Sequence, residues 1–118
     1  MPHLNLEYSK NLSGFNPHLA LQQLNNALIE SGHFIESDIQ SRAIGFDDFL
    51  IGNVDEGRAF IHIKLRLLSG RSAEIKKALS DALIQAIELD NPQQLEISIR
   101  AEIIDINRES YGSKNIAG

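Results

Sequence analysis

The sequence predicts an α+β fold. Two βαβ units form one four-stranded mixed sheet, and both helices lie on the same face. Three observations predict it. A strand–helix–strand order occurs twice along the 118 residues. The strand segments alternate apolar and polar residues with period two, as half-buried strands do. The helical segments carry only one apolar stripe each, enough to cover one sheet face and leave the other polar.

The first strand starts at Pro2 and alternates Leu4, Leu6 and Tyr8 with His3, Asn5 and Glu7. A helix fits residues 17–31. Asn16 supplies an N-cap, Pro17 suits the first helical position, and Gly32 provides the stop. Leu21, Leu24 and Leu28 form its apolar stripe. A second strand lies within residues 38–51, where alternation is poor. Asn53-Val54-Asp55-Glu56-Gly57 reads as a turn.

The second unit repeats the plan. Ala59, Ile61, Ile63, Leu65 and Leu67 alternate with Phe60, His62, Lys64 and Arg66. Ser72 caps a helix over residues 73–89, with Glu74 in its first turn and a stripe of Ile75, Leu79, Ala82, Leu83 and Ala86. Asn91-Pro92 ends it. The last strand alternates Leu95, Ile97, Ile99, Ala101 and Ile103 with Glu96, Ser98, Arg100 and Glu102. Its phase shifts at Ile104, which predicts a bulge or a strand buried on both faces there. Residues 107–118 read as an arm with a turn at Tyr111-Gly112. The order of elements is also that of a ferredoxin-like domain, and periodicity alone does not separate the two.

Bulk properties narrow the function. The length fits one domain spanning residues 1–118. A net charge of -5 argues against nucleic acid as a partner. The chain has no cysteine, so thiolate chemistry and zinc–thiolate sites are excluded. No stretch approaches the ~18 apolar residues of a membrane span, and no signal-peptide core follows Met1. A cytoplasmic protein without a membrane partner is the expectation.

The candidate chemistry is concentrated in few residues. Pro2 follows Met1, so its nitrogen is a free secondary amine only if Met1 is removed. Removal would make it a candidate base, whereas an acylated proline nitrogen has no basicity to offer. Arg42 follows Ser41 in the second strand region, and Arg71 lies in Ser69-Gly70-Arg71-Ser72 at the junction of third strand and second helix. An arginine there can clamp a carboxylate beside free helical N–H groups. His3 and His62 occupy polar strand positions and would meet only if their strands pair suitably. His18 and His33 read as structural, because no spacing among the histidines suggests three or four converging metal ligands. Asp47-Asp48 and Asp55-Glu56 read as solvated loop charges.

Met1-Pro2-His3, Ser41-Arg42, Phe60-Ile61-His62, Gly70-Arg71-Ser72 and the tail from Ile104 to Ile116 together resemble the 5-carboxymethyl-2-hydroxymuconate isomerase family of the tautomerase superfamily. The resemblance spans essentially the whole chain. It implies a tautomerase-like fold assembled as a homotrimer, with the sheets facing a central channel. It implies Pro2 as catalytic base and Arg42 and Arg71 as substrate-binding residues. It implies a small polycarboxylate substrate, with 5-carboxymethyl-2-hydroxymuconate, from homoprotocatechuate catabolism, converted to its conjugated 2-oxo-3-ene isomer. No metal or organic cofactor is implied. Two other readings stay open on the residues. One is a different enol–keto tautomerase or hydratase-like enzyme on the same scaffold. The other is a non-enzymatic ferredoxin-like module that binds a ligand.

Overall fold

A computed structural model describes all residues, 1–118. The chain runs β1 (His3–Ser9), α1 (Pro17–Glu30), β2 (Gln40–Phe46), β3 (Arg58–Leu68), α2 (Ala73–Ala86) and β4 (Glu96–Ile106). Single 3-10 turns sit at Glu36–Asp38 and Arg108–Ser110. The sheet order is β2-β1-β3-β4. Within each unit the strands are parallel, β1 with β2 and β3 with β4, and the units join through the antiparallel β1–β3 pair. A ferredoxin-like sheet interleaves its two units. Here each crossover returns beside its own strand, so the tautomerase-like plan is the one realised.

Local chemistry explains the helices. Asn16 accepts from the backbone N–H of Leu19 at 3.1 Å, and Pro17 occupies the first turn, where its missing N–H costs nothing. Gly32, at φ 79°, ends α1 by donating to the Ile29 carbonyl. The buried stripe of α1 is Ala20, Leu24 and Leu28, with Leu21 half-buried at its margin. Ser72 accepts from the N–H of Ile75 at 3.2 Å and starts α2. That helix stops at Ala86, three residues before the expected end. Ile87 is already extended (φ -74°, ψ 119°), and the extended run returns Ile87 and Leu89 to the core side.

The core lies between the helices and one sheet face. Leu4 and Leu6 of β1, Ile61, Ile63, Leu65 and Leu67 of β3, and Leu24, Leu28, Leu79 and Leu83 of the helices are all essentially inaccessible to water. Each such side chain contributes about 1.5–3 kcal/mol of transfer free energy. The opposite face carries His3, Asn5 and Glu7 of β1, Arg42 of β2, Phe60, His62, Lys64 and Arg66 of β3, and Ser98, Arg100 and Glu102 of β4. Neighbouring strands pair polar groups across it, Lys64 with Glu7 as an ion pair at 3.0 Å and His62 Nε2 with Glu102 at 3.0 Å.

Of the two alternatives expected at Ile104, the bulge is absent, and the strand instead carries apolar residues on both faces. Register with β3 is unbroken from Arg58↔Glu96 to Leu68↔Ile106. The phase shift has another cause. Ile104 and Ile106 stand with Leu68 on the otherwise polar face, while Asp105 points to the helix side and pairs with Lys76 of α2 at 3.3 Å. One end of the polar face is therefore apolar.

Candidate functional site

Parallel pairing within each unit gathers the candidate residues at one end of the sheet, where β1 begins. Pro2 is fully buried, and its carbonyl accepts from the N–H of Gln40 at 3.1 Å. That bond holds the start of β1 against the start of β2. Arg42 pairs in register with Asn5. Its neighbour Ser41 points the other way and donates to Asn25 of α1 at 2.6 Å. Strict strand alternation then places Arg42 on the polar face.

There Arg42 meets His3. Its Nη2 lies 3.3 Å from His3 Nδ1, and its Nη1 is 3.5 Å from Asn5 Oδ1. On its other side His3 Nε2 lies 2.8 Å from the hydroxyl of Tyr111, with the two rings edge to face. Partial burial lowers the pKa of His3, and the charges of Arg42, Arg66 and the chain's amino terminus lower it further. The amino terminus is thus close enough for its charge to act on the imidazole.

Arg71 reaches the same end by another route. β3 runs antiparallel to β1, so its last residues pass beside Pro2, and Gly70 at φ 127° turns the chain into α2. Arg108 donates from Nε to the Ser69 carbonyl at 2.6 Å, and Ser69 donates its N–H to Ile106 at 3.0 Å. The turn carrying Arg71 is therefore tied to the end of β4 and its tail. The Arg71 guanidinium donates from Nη2 to the His33 carbonyl at 3.2 Å and lies over the Phe34 ring, 4.9 Å from its centroid. One arm of the guanidinium fork is thereby committed, and the group rests on the α1–β2 connection.

Within one chain Arg42 and Arg71 share no hydrogen-bond partner, and Pro2 lines none of the main surface depressions. His3 and His62 do not meet. His3 stands opposite Arg66, and His62 stands opposite Glu7, four residues along β1. Tyr111 and Arg108 lie in the tail that the resemblance covers, but neither stands out there as a site residue. Their signal, visible only afterwards, is an aromatic and a cation placed just after the last strand of a sheet whose other ends hold the candidate residues.

The family model described as 5-carboxymethyl-2-hydroxymuconate isomerase matches residues 2–117. A crystal structure of a 5-carboxymethyl-2-hydroxymuconate isomerase from Deinococcus radiodurans R1 is similar at TM-score 0.85 and 30% identity, over 98% of this chain and 90% of that one. A 5-carboxymethyl-2-hydroxymuconate delta-isomerase is similar at TM-score 0.78 and 24% identity, over 98% and 88%. A fused 4-OT symmetric trimer shares the fold at TM-score 0.71 and 23% identity, over 96% and 92%. No curated protein matches the sequence significantly.

Proposed function

The chain belongs to the 5-carboxymethyl-2-hydroxymuconate isomerase family of the tautomerase superfamily and is an isomerase, and from that premise we propose that it moves a proton within a dienol carboxylate, using the amine of Pro2 as base. The observation that carries this reading is the placement of a buried Pro2, the Arg42–His3 contact and the Arg71 turn at one end of the sheet. Once Met1 is removed, the amine is secondary and sits in a partly desolvated, cationic setting. Both influences disfavour its protonated form and bring it toward a useful working pKa.

In the proposed reaction the amine accepts the proton of the 2-hydroxyl of 5-carboxymethyl-2-hydroxymuconate. It returns a proton at C5, giving the 2-oxo-3-ene isomer with no net loss of atoms. Arg42 and Arg71 hold carboxylates and stabilise the dienolate between the two transfers. On a chain of net charge -5, they also concentrate the anion where the base waits. Arg71 would first leave, or share, the His33 carbonyl.

Assembly is part of the proposal. β2 and β4 are open edges. Ile44, more than half exposed, and the trio Leu68, Ile104 and Ile106 place apolar surface on the polar face. A homotrimer would cover both, as the trimeric name of one structural neighbour suggests.

The decisive experiment compares two forms of untagged protein, with Met1 removed and with Met1 retained, each verified by intact mass. The processed form should isomerise 5-carboxymethyl-2-hydroxymuconate and the retained form should not. Equal rates would remove Pro2 from the reaction.

A further inference from the structure

We propose that the Tyr111 hydroxyl is a substrate-oxygen donor, and that His3 is the positioning residue that turns its proton outward. The inference rests on the function proposed above and adds a residue outside the Pro2, Arg42 and Arg71 set.

A guanidinium only donates, so Arg42 Nη2 at 3.3 Å makes His3 Nδ1 an acceptor. A neutral imidazole with an accepting Nδ1 carries its hydrogen on Nε2. That hydrogen points at Tyr111, 2.8 Å away, so the phenol oxygen accepts it. Tyr111 then has its own O–H proton left over, and no other protein atom takes it. The result is a one-way chain, Arg42 to His3 to Tyr111, ending in an unspent donor. Its middle link, His3, directly follows Pro2 in the chain.

The chain also strengthens that donor. Each link donates to the next, and donation into a hydroxyl oxygen makes its own proton a better donor. The charge at the head of the relay is permanent, because arginine does not titrate in the working range. The donor is well placed as well. Tyr111 stands half-buried just after the Arg108–Ser110 turn, where Asn107 caps the N–H of Glu109 at 3.0 Å and Arg108 ties the segment to Ser69. The tail is thereby held to the loop that carries Arg71. A phenol linked through His3 to the Arg42 charge, with one proton free, suits a carboxylate or enolate oxygen.

The test uses four variants of the processed, full-length protein. Tyr111→Phe keeps the ring and removes only the hydroxyl. It should lower kcat/KM for 5-carboxymethyl-2-hydroxymuconate, and weaken binding of the unreactive dicarboxylate cis,cis-muconate, by about tenfold to a hundredfold. His3→Gln can still donate to Tyr111 from its amide and should retain most activity, whereas His3→Ala should approach the Tyr111→Phe level. Nitrogen shifts of the imidazole should report the Nε2–H tautomer in the wild type and a mixed tautomer in Arg42→Gln. An Nδ1–H tautomer, or a Tyr111→Phe variant with wild-type kcat/KM and muconate affinity, would overturn the inference and leave the Pro2 reading intact. A wild-type processed protein that neither isomerises the substrate nor binds muconate would overturn both.

Discussion

His3 is the residue where most of the local physics converges. Arg42 from β2, Arg66 from β3, Tyr111 from the tail and the amino terminus all face it. Burial first, then the three charges, hold its pKa below 6.5. The sign follows directly. The unfolded chain takes up a proton near pH 6.5 while the folded chain still resists it, so the contribution is complete above that pH. It is lost as pH falls from there through the lowered folded value. Denaturant titrations between pH 7.5 and 5 should show this decline, and His3→Gln should flatten it. An unchanged slope in that variant would assign the pH dependence elsewhere. The arginines make a kinetic prediction at the same scale. Arg71→Ala should lower kcat/KM mainly through KM, and Arg42→Ala should act more on kcat, each by the ~1.5–3 kcal/mol of a charge-assisted contact. Normal kinetics in both variants, with folding intact, would reduce them to surface charges.

Elements position these residues through a few specific contacts. Gly45 in β2 lies beneath the Tyr8 ring. A Cβ there would come within 2.7 Å of Tyr8 Cζ and 2.9 Å of Lys10 Cγ. Tyr8 in turn packs edge-on against Phe15, with ring centroids 5.0 Å apart. Gly45→Ala should therefore push the ring off this packing and destabilise the chain by about 1–3 kcal/mol. Thermal melts of the variant check this, and an unchanged Tm would mean that Tyr8 has room to move. Ser72 makes a second case. It caps α2 and also ends the loop carrying Arg71. Ser72→Ala should cost about 1 kcal/mol of stability. It should also raise KM, because the Arg71 turn loses its fixed exit into the helix.

At the scale of the molecule, the polar sheet face decides what the chain does next. Its centre carries the Lys64–Glu7 ion pair and the His62–Glu102 contact, and one end is apolar at Leu68, Ile104 and Ile106. A wet monomer has no use for that apolar end, whereas a threefold assembly can bury it. Sedimentation should give about three chain masses, and Ile104→Asp should shift the distribution toward monomer and lower activity with it. A fully active wild-type monomer would contradict the assembly and any site shared across it.

Much of this was legible from residue order. Period-two alternation marked β1, β3 and β4, because a strand with one buried face must alternate. Asn16, Pro17, Gly32 and Ser72 marked helix boundaries, because backbone groups at helix ends need those partners. β2 was blurred, since an edge strand with Ser41 on Asn25 and Gly45 under Tyr8 has no reason to alternate apolar and polar residues. The end of α2 was misread by three residues, because Ile87 and Leu89 reach the core in either conformation and only packing chose the extended one. Ile104 leaves a bulge and a strand buried on both faces as alternatives, because a break in phase looks the same whether the backbone shifts or the partner surface changes. The strand order was beyond the sequence as well, since pairing between distant segments follows from how the crossovers pack. Pro2, Arg42 and Arg71 could be singled out one by one. Their gathering at one end of the sheet, and the link from Arg42 through His3 to Tyr111, exist only because the parallel pairs within each unit and the antiparallel β1–β3 pair together bring segments as far apart as His3 and Tyr111 into hydrogen-bond range.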